Sequence, residues 1–394
     1  MASSSISILL FACFLVVLWH ASRVYANNNG CYSSIISFGD SISDTGNKKQ
    51  LAYLYPDVVV DKCGPPNGQD FFGEATGRCS NGRLIVDFLA ESLGFPLLPP
   101  YVNYNESQGL VTGVNFATSG ATVLDSSLLT DIWNGSFVFD ATLGVQLSWL
   151  KQSLPSICGN NTNSDCKDFI GRSLIIMGGL GSNDYNVLLQ AGKVIDEVKT
   201  YVPLVTDTMI LAVNELIEMG ARTIVVPGNF PFGCFPAVLV LYASDGDEYD
   251  PITGCLVNFN DFSEYHNKML QAKLDQTREL NPNINIIYAD YYNAALQIYL
   301  SLDEYGFTNG VSNTCCGGGG PFNFNATLKC GDAFTTICDD PDTYAIWDGI
   351  HYTEAAYKVI TKNLFQGPYT TPKFSSLCPT KSTTQAGVRL SSSV

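Results

Sequence analysis

The stretch that decides the reading of this chain is Ser34-Ile35-Ile36-Ser37-Phe38-Gly39-Asp40-Ser41-Ile42-Ser43-Asp44-Thr45-Gly46-Asn47. Its first five residues form a short run rich in apolar and β-branched side chains, the pattern of a buried strand. Gly39-Asp40-Ser41 and the polar stretch after it then favour a turn. A serine just past a buried strand stands at the carboxyl edge of a sheet, where α/β proteins place their chemistry. Ser41 is therefore a candidate nucleophile, although Gly-Asp-Ser alone is equally ordinary turn chemistry.

Similar runs recur along the chain at Val111–Phe116, Leu174–Met177, Thr223–Val226 and Ile284–Tyr288. Helical patterns fill the intervals. Arg83–Leu93 carries Leu84, Phe88 and Leu89 and stops at Gly94. Thr142–Leu154 carries Leu143, Leu147 and Leu150. Leu204–Met219 begins behind Pro203 and stops at Gly220. Phe259–Leu280, Tyr291–Tyr305 and Thr353–Leu364 complete the set. Solid apolar strands alternating with helices predict a mostly parallel five-stranded sheet covered on both faces, a three-layer α/β/α domain. No linker or internal repeat divides it, so residues 27–378 read as a single domain.

The ends read differently. Ile6–Trp19 is apolar but too short to span a bilayer, and Val24-Tyr25-Ala26 is a small-residue cleavage site, so residues 1–26 read as a secretory signal. Residues 379–394 are a Ser/Thr-rich tail expected to be disordered. Of thirteen cysteines, Cys13 leaves with the signal, and the even number remaining predicts disulfides. Cys63–Cys79, Cys158–Cys166 and Cys234–Cys255 would close short loops, and Cys315, Cys316, Cys330 and Cys338 are expected to pair among themselves. The cysteines show neither Cys-x-x-Cys spacing nor a neighbouring histidine, so no metal is predicted. Sequons at Asn105, Asn134, Asn160 and Asn325 fit the secretory pathway, with an extracellular or vacuolar destination. The net charge of −16 opposes binding to nucleic acid or anionic membranes, while the low charged fraction marks a folded protein. A soluble monomer without stable membrane association is expected.

A serine nucleophile needs a base, an orienting group and donors for the oxyanion. Outside the signal the chain has only His266 and His351. His266 lies mid-helix with Glu264 on another face, and reads as a packed or solvated helix residue. His351 follows Asp348 by three residues across Gly349, close enough for one turn to join carboxylate and imidazole, and just ahead of the helix cap Thr353. Two further glycine-bearing segments follow predicted strands. One is Gly113 to Ala121, where Gly120 lets a substrate approach the backbone. The other is Gly178 to Asp184, where Asn183 offers a side-chain amide. Three such segments share one sheet edge, and the fourth holds the histidine–acid pair.

With these residues in place the chain resembles the plant GDSL-type esterase/lipases of the SGNH-hydrolase superfamily over residues 31–378. Four blocks occur in order: Phe38-Gly39-Asp40-Ser41, Asn115-Phe116-Ala117 with Gly120, Gly181-Ser182-Asn183-Asp184, and Asp348-Gly349-Ile350-His351. Smaller signatures accompany them: Gly77-Arg78 with Ser80-Asn81-Gly82-Arg83, Pro231-Phe232-Gly233-Cys234-Phe235-Pro236, and Cys315-Cys316-Gly317-Gly318. The resemblance implies a flavodoxin-like fold and a cofactor-free esterase acting on a small-molecule acyl ester. It implies Ser41 as nucleophile, His351 as base and then acid, and Asp348 as its orienting partner. It also implies an oxyanion hole from the Ser41 and Gly120 N–H groups and the Asn183 side chain. The opening segment and Tyr249–Leu270 resemble the branch holding sinapine esterase and acetylajmalan esterase, which implies an ester of a specialised metabolite. The alternatives are an acyltransferase using the same acyl-enzyme, a lipid esterase or lipase, and a non-catalytic secreted binding protein on the same fold.

Overall fold

A computed structural model describes residues 30–55, 63–103, 112–130, 141–158, 163–310 and 312–378. The signal reading, the tail reading and the sequons Asn105, Asn134 and Asn160 fall outside them; Asn325 falls inside.

Five strands make a parallel sheet: β1 (Ser34–Phe38), β2 (Gly113–Asn115), β3 (Ser173–Met177), β4 (Thr223–Pro227) and β5 (Asn285–Ala289). A two-stranded ribbon, β6 (Cys316–Gly317) with β7 (Thr336–Ile337), stands apart, and β8 (Thr370–Thr371) adds a short antiparallel edge to β5. The strand order is β2-β1-β3-β4-β5-β8. The sheet thus has one more strand than predicted, because two residues are too few to show an alternating pattern.

Every residue of β1, β3 and β4 is buried, which explains their solid apolar character. Burial of each Ile, Leu or Val there contributes about 1.5–3 kcal/mol. The polar exceptions are satisfied in register: Ser34 faces Ser173 across the sheet, and their hydroxyls bond at 2.6 Å.

The main helices are α1 (Asn47–Leu54), α2 (Ile85–Ser92), α3 (Leu143–Ile157), α4 (Ser182–Gln190), α5 (Val202–Glu218), α6 (Val257–Leu280), α7 (Tyr291–Leu300) and α8 (Glu354–Phe365). They cover both faces of the sheet, α5 packing on α6 and α3, and α8 on α7 and α2. Thr142 caps α3 and Thr353 caps α8, each hydroxyl accepting a backbone N–H of the first turn. The helix predicted over Tyr291–Tyr305 is interrupted: Ser301 adopts φ −145°, and a separate turn follows at Leu302–Tyr305.

Six disulfides are present. Three are the local pairs predicted, and two, Cys315–Cys338 and Cys316–Cys330, resolve the pairing within the glycine-rich segment. The sixth joins Cys31 to Cys378 across 347 residues. Among the described residues no helix is long and apolar enough to cross a membrane.

This order carries a reversal. The chain runs from β1 outward to β2, then returns to lay β3 on the other side of β1. Crossovers on the two sides diverge there and leave a crevice beyond the carboxyl ends of the strands. Ser41 is three residues past the end of β1, at that reversal.

Candidate active site

The turn after β1 is held by contacts the sequence does not advertise. Gly39 N–H donates to Gln146 Oε1 on α3 at 2.9 Å, and Gln146 Nε2 returns a bond to Gly39 O at 2.8 Å. Asp40 Oδ1 accepts from Ile42 N–H at 3.0 Å. A Cβ at Gly178, which follows β3, would collide with the Ser43 hydroxyl and with Phe38 O. Glycine is required there for β1 and β3 to end side by side.

Asp44 stands one turn further on, fully buried. Its carboxylate accepts the N–H groups of Gly46 and Asn47 at 2.7 Å and of Ser119 at 2.8 Å. It thereby starts α1 and ties the Gly120 segment to the Ser41 turn. Asn115, from the second block, bridges the same segments. Its Nδ2 donates to Ser43 O, and its Oδ1 accepts from Ala117 N–H, which makes it a staple within the site's frame. Asp184 does the same behind Asn183, accepting from Val123 and Leu124 N–H at 2.9 and 2.8 Å.

His351 arrives from the loop before α8. Ser80-Asn81-Gly82-Arg83 fastens that loop. Ser80 Oγ donates to Tyr352 O, Asn81 Oδ1 accepts from Glu354 N–H at 2.7 Å, and Arg83 pairs with Glu354 at 2.6 Å. Trp347 Nε1 donates to Asn67 Oδ1 at 2.9 Å. Within the loop, Asp348 Oδ1 accepts the N–H groups of Ile350 and His351 at 3.2 and 3.0 Å. Its Oδ2 lies 2.7 Å from His351 Nδ1.

The other ring nitrogen, Nε2, is 2.9 Å from Ser41 Oγ. Ser41, His351 and Asp348 thus form a continuous chain of hydrogen-bonding groups, with the imidazole almost wholly buried and Asp348 17 % exposed. Burial pushes the Asp348 carboxyl up, but the His351 charge and the surrounding hydrogen bonds outweigh it and hold the group below its ordinary value. It is ionised at neutral pH.

Gly120 and Asn183 border the same cavity as Ser41. Among the described residues the backbone N–H groups of Ser41 and Gly120 have no acceptor. Asn183 Nδ2 donates to Ala121 O at 3.0 Å and, more weakly, to Asp40 Oδ2 at 3.3 Å. Asn183 sits in the first turn of α4, a helix unrecognised in the sequence because Ser182-Asn183-Asp184 read as turn residues. His266 is elsewhere: fully buried on α6, with Nδ1 2.7 Å from the Tyr185 hydroxyl, and pushed down to about 3 by burial. It is the packed residue expected. No group of three or more His, Cys, Asp or Glu among the described residues is arranged to hold a metal ion.

The GDSL-like lipase/acylhydrolase family matches residues 35–364. The chain belongs to that family. It is 48 % identical to one GDSL esterase/lipase of Arabidopsis thaliana over 88 % of this chain and 85 % of the relative. A second from the same plant is 49 % identical over 88 % and 87 %, and a third 46 % identical over 96 % and 97 %. As a member of the family it is a carboxylic ester hydrolase.

Proposed function

We propose that the protein is a secreted serine esterase that cleaves an acyl ester of a plant specialised metabolite through an acyl-enzyme on Ser41. The observation that carries this reading is the 2.9 Å contact of Ser41 Oγ with a histidine whose other nitrogen meets a carboxylate at 2.7 Å. In this reading Ser41 Oγ attacks the ester carbonyl while His351 Nε2 takes its proton. Asp348 stabilises the imidazolium that results. The oxyanion accepts from the Ser41 and Gly120 N–H groups and from Asn183, whose longer bond to Asp40 yields to it. His351 then returns the proton to the departing alcohol. Water repeats the cycle on the acyl-enzyme and releases the acid.

Six disulfides support passage through an oxidising compartment. The likeness of the opening segment and of Tyr249–Leu270 to the sinapine esterase and acetylajmalan esterase branch supports a metabolite ester. The test is Ser41→Ala. A folded variant should lose hydrolysis of a short p-nitrophenyl ester and labelling by a fluorophosphonate; retention of either rejects Ser41 as nucleophile.

A further inference from the structure

Two cavities of unequal size meet at Ser41, and Asn183 and His351 border both. The smaller has a volume of about 50 Å³, with Phe230, Phe232, Phe235, Val238 and Ile350 on its apolar side and Ser182 and Asn186 among its polar lining. The larger is about 350 Å³ and mixes Tyr242, Phe324 and Leu328 with Gln190 and Lys329. Resting on the Ser41 reading above, we propose that the small cavity receives the acyl arm and restricts it to a chain of about two to four carbons, a few water-sized positions at ~10–15 Å³ each. The large cavity takes a bulky alcohol with polar groups. Phe232 and Phe235, from the Pro231–Pro236 signature, are then the residues that set acyl length.

The alcohol is the arm that departs. It must leave from His351 by an open route, and water must follow by the same route while the acyl group is still bonded to Ser41. A bulky acyl group in the large cavity would obstruct that path. The small cavity suits a group that stays in place.

Its phenylalanine wall is packed from behind. Phe230 is wedged against Tyr291 and Tyr352, with ring centres 4.8 and 5.1 Å apart, Phe235 against Tyr352 at 5.6 Å, and Phe232 against Phe262 at 6.1 Å. The backbone of this segment is fastened from behind: Phe232 N–H donates to Ser263 Oγ at 3.2 Å and Gly233 N–H to Asn260 Oδ1 at 2.9 Å, both on α6, and Cys234 is bonded to Cys255 just ahead of that helix. A close-packed wall fixed from behind resists each added methylene.

The experiment compares kcat/KM for p-nitrophenyl acetate, butyrate and octanoate in the wild type, Phe232→Ala and Phe232→Leu, with fluorophosphonate labelling as a check on the nucleophile. The wild type should lose at least about tenfold between butyrate and octanoate. Phe232→Ala should raise the octanoate-to-acetate ratio about tenfold, and Phe232→Leu, which keeps most of the packing, by less. In parallel, 1-naphthyl acetate should be cleaved at least as well as phenyl acetate. A labelled, active enzyme that prefers octanoate, or whose chain-length profile ignores both Phe232 variants, overturns the assignment. So does a tenfold preference for phenyl over naphthyl acetate. A folded wild type that neither labels nor turns over any ester removes the Ser41 reading as well, which separates the two failures.

Discussion

Asp348→Asn is the sharpest probe of the proposed chemistry, because the structure dictates how the new amide must lie. Asp348 Oδ1 accepts two backbone N–H groups, from Ile350 and His351, and lies 3.0 Å from His351 Nδ1, while Oδ2 is the nearer oxygen to that nitrogen at 2.7 Å. An asparagine has one acceptor oxygen. Turning its NH2 group toward the two backbone donors would leave both unpaired, at about 1–3 kcal/mol each. The oxygen therefore stays with the backbone and the NH2 group points at Nδ1. The nearer partner of Nδ1, at the 2.7 Å position, is then an N–H, which favours the tautomer with the proton on Nε2; that tautomer can donate to Ser41 Oγ but cannot take its proton. The expected loss in kcat is about 10⁴-fold, or about 5 kcal/mol of barrier. Asp348→Ala should lose a comparable factor but also destabilise the fold by about 1–3 kcal/mol, since the turn loses its acceptor. The assay is p-nitrophenyl acetate turnover beside thermal unfolding. An Asp348→Asn enzyme with an unchanged melting temperature and kcat within tenfold of wild type would refute the reasoning.

If Asn183 serves the proposed oxyanion rather than the ground state, Asn183→Ala should cut kcat by roughly 10²–10³-fold while leaving KM nearly unchanged; a change confined to KM contradicts that role. Gln146→Ala removes both bonds to Gly39, so stability should fall by about 1–3 kcal/mol in denaturant titration, with kcat reduced as the nucleophile turn loosens; unaltered stability would dismiss the clamp. Stability should also fall as pH rises from about 4 to about 7. Burial pushes Asp40 and Asp184 up to about 7, so across that window the folded protein keeps two protons that the unfolded chain releases. His266, pushed down to about 3, opposes them below its ordinary value, where only the unfolded chain binds its proton. Asp348, held low, adds stability that is lost only below about pH 4. Burial raises Asp44 as well, so the buried carboxyls outnumber the one opposing imidazole and the melting temperature should be higher at pH 5 than at pH 8; the reverse order would show that the buried carboxyls are ionised in the fold.

The parallel sheet was legible because burial on both faces leaves strands such as Ile35-Ile36 and Leu174-Ile175-Ile176 with little polar alternation. The site was legible where its parts are close in sequence, as in Asp348-Gly349-Ile350-His351, or where scarcity decides, as with two histidines. Long-range supports were not. Gln146 lies in a helix 107 residues from Gly39, and nothing in its surroundings marks it as the partner of a turn. Asp44 and Asp184 read as loop residues because their acceptors are matched to N–H groups of other segments. The start of α4 was hidden by the same polar residues that make a good first turn. Cys31–Cys378 could be reached only by elimination, since its loop is nearly the whole domain.

That last bond also changes how the molecule bears load. Cys31 stands just before β1 and Cys378 just after the segment that carries β8. Tension applied from outside the two cysteines passes through the sulfur bridge and bypasses the sheet. Proteolytic nicking between them leaves the fragments tethered. The strand that presents Ser41 is shielded from peeling at its exposed end, and only reduction hands the force to its hydrogen bonds.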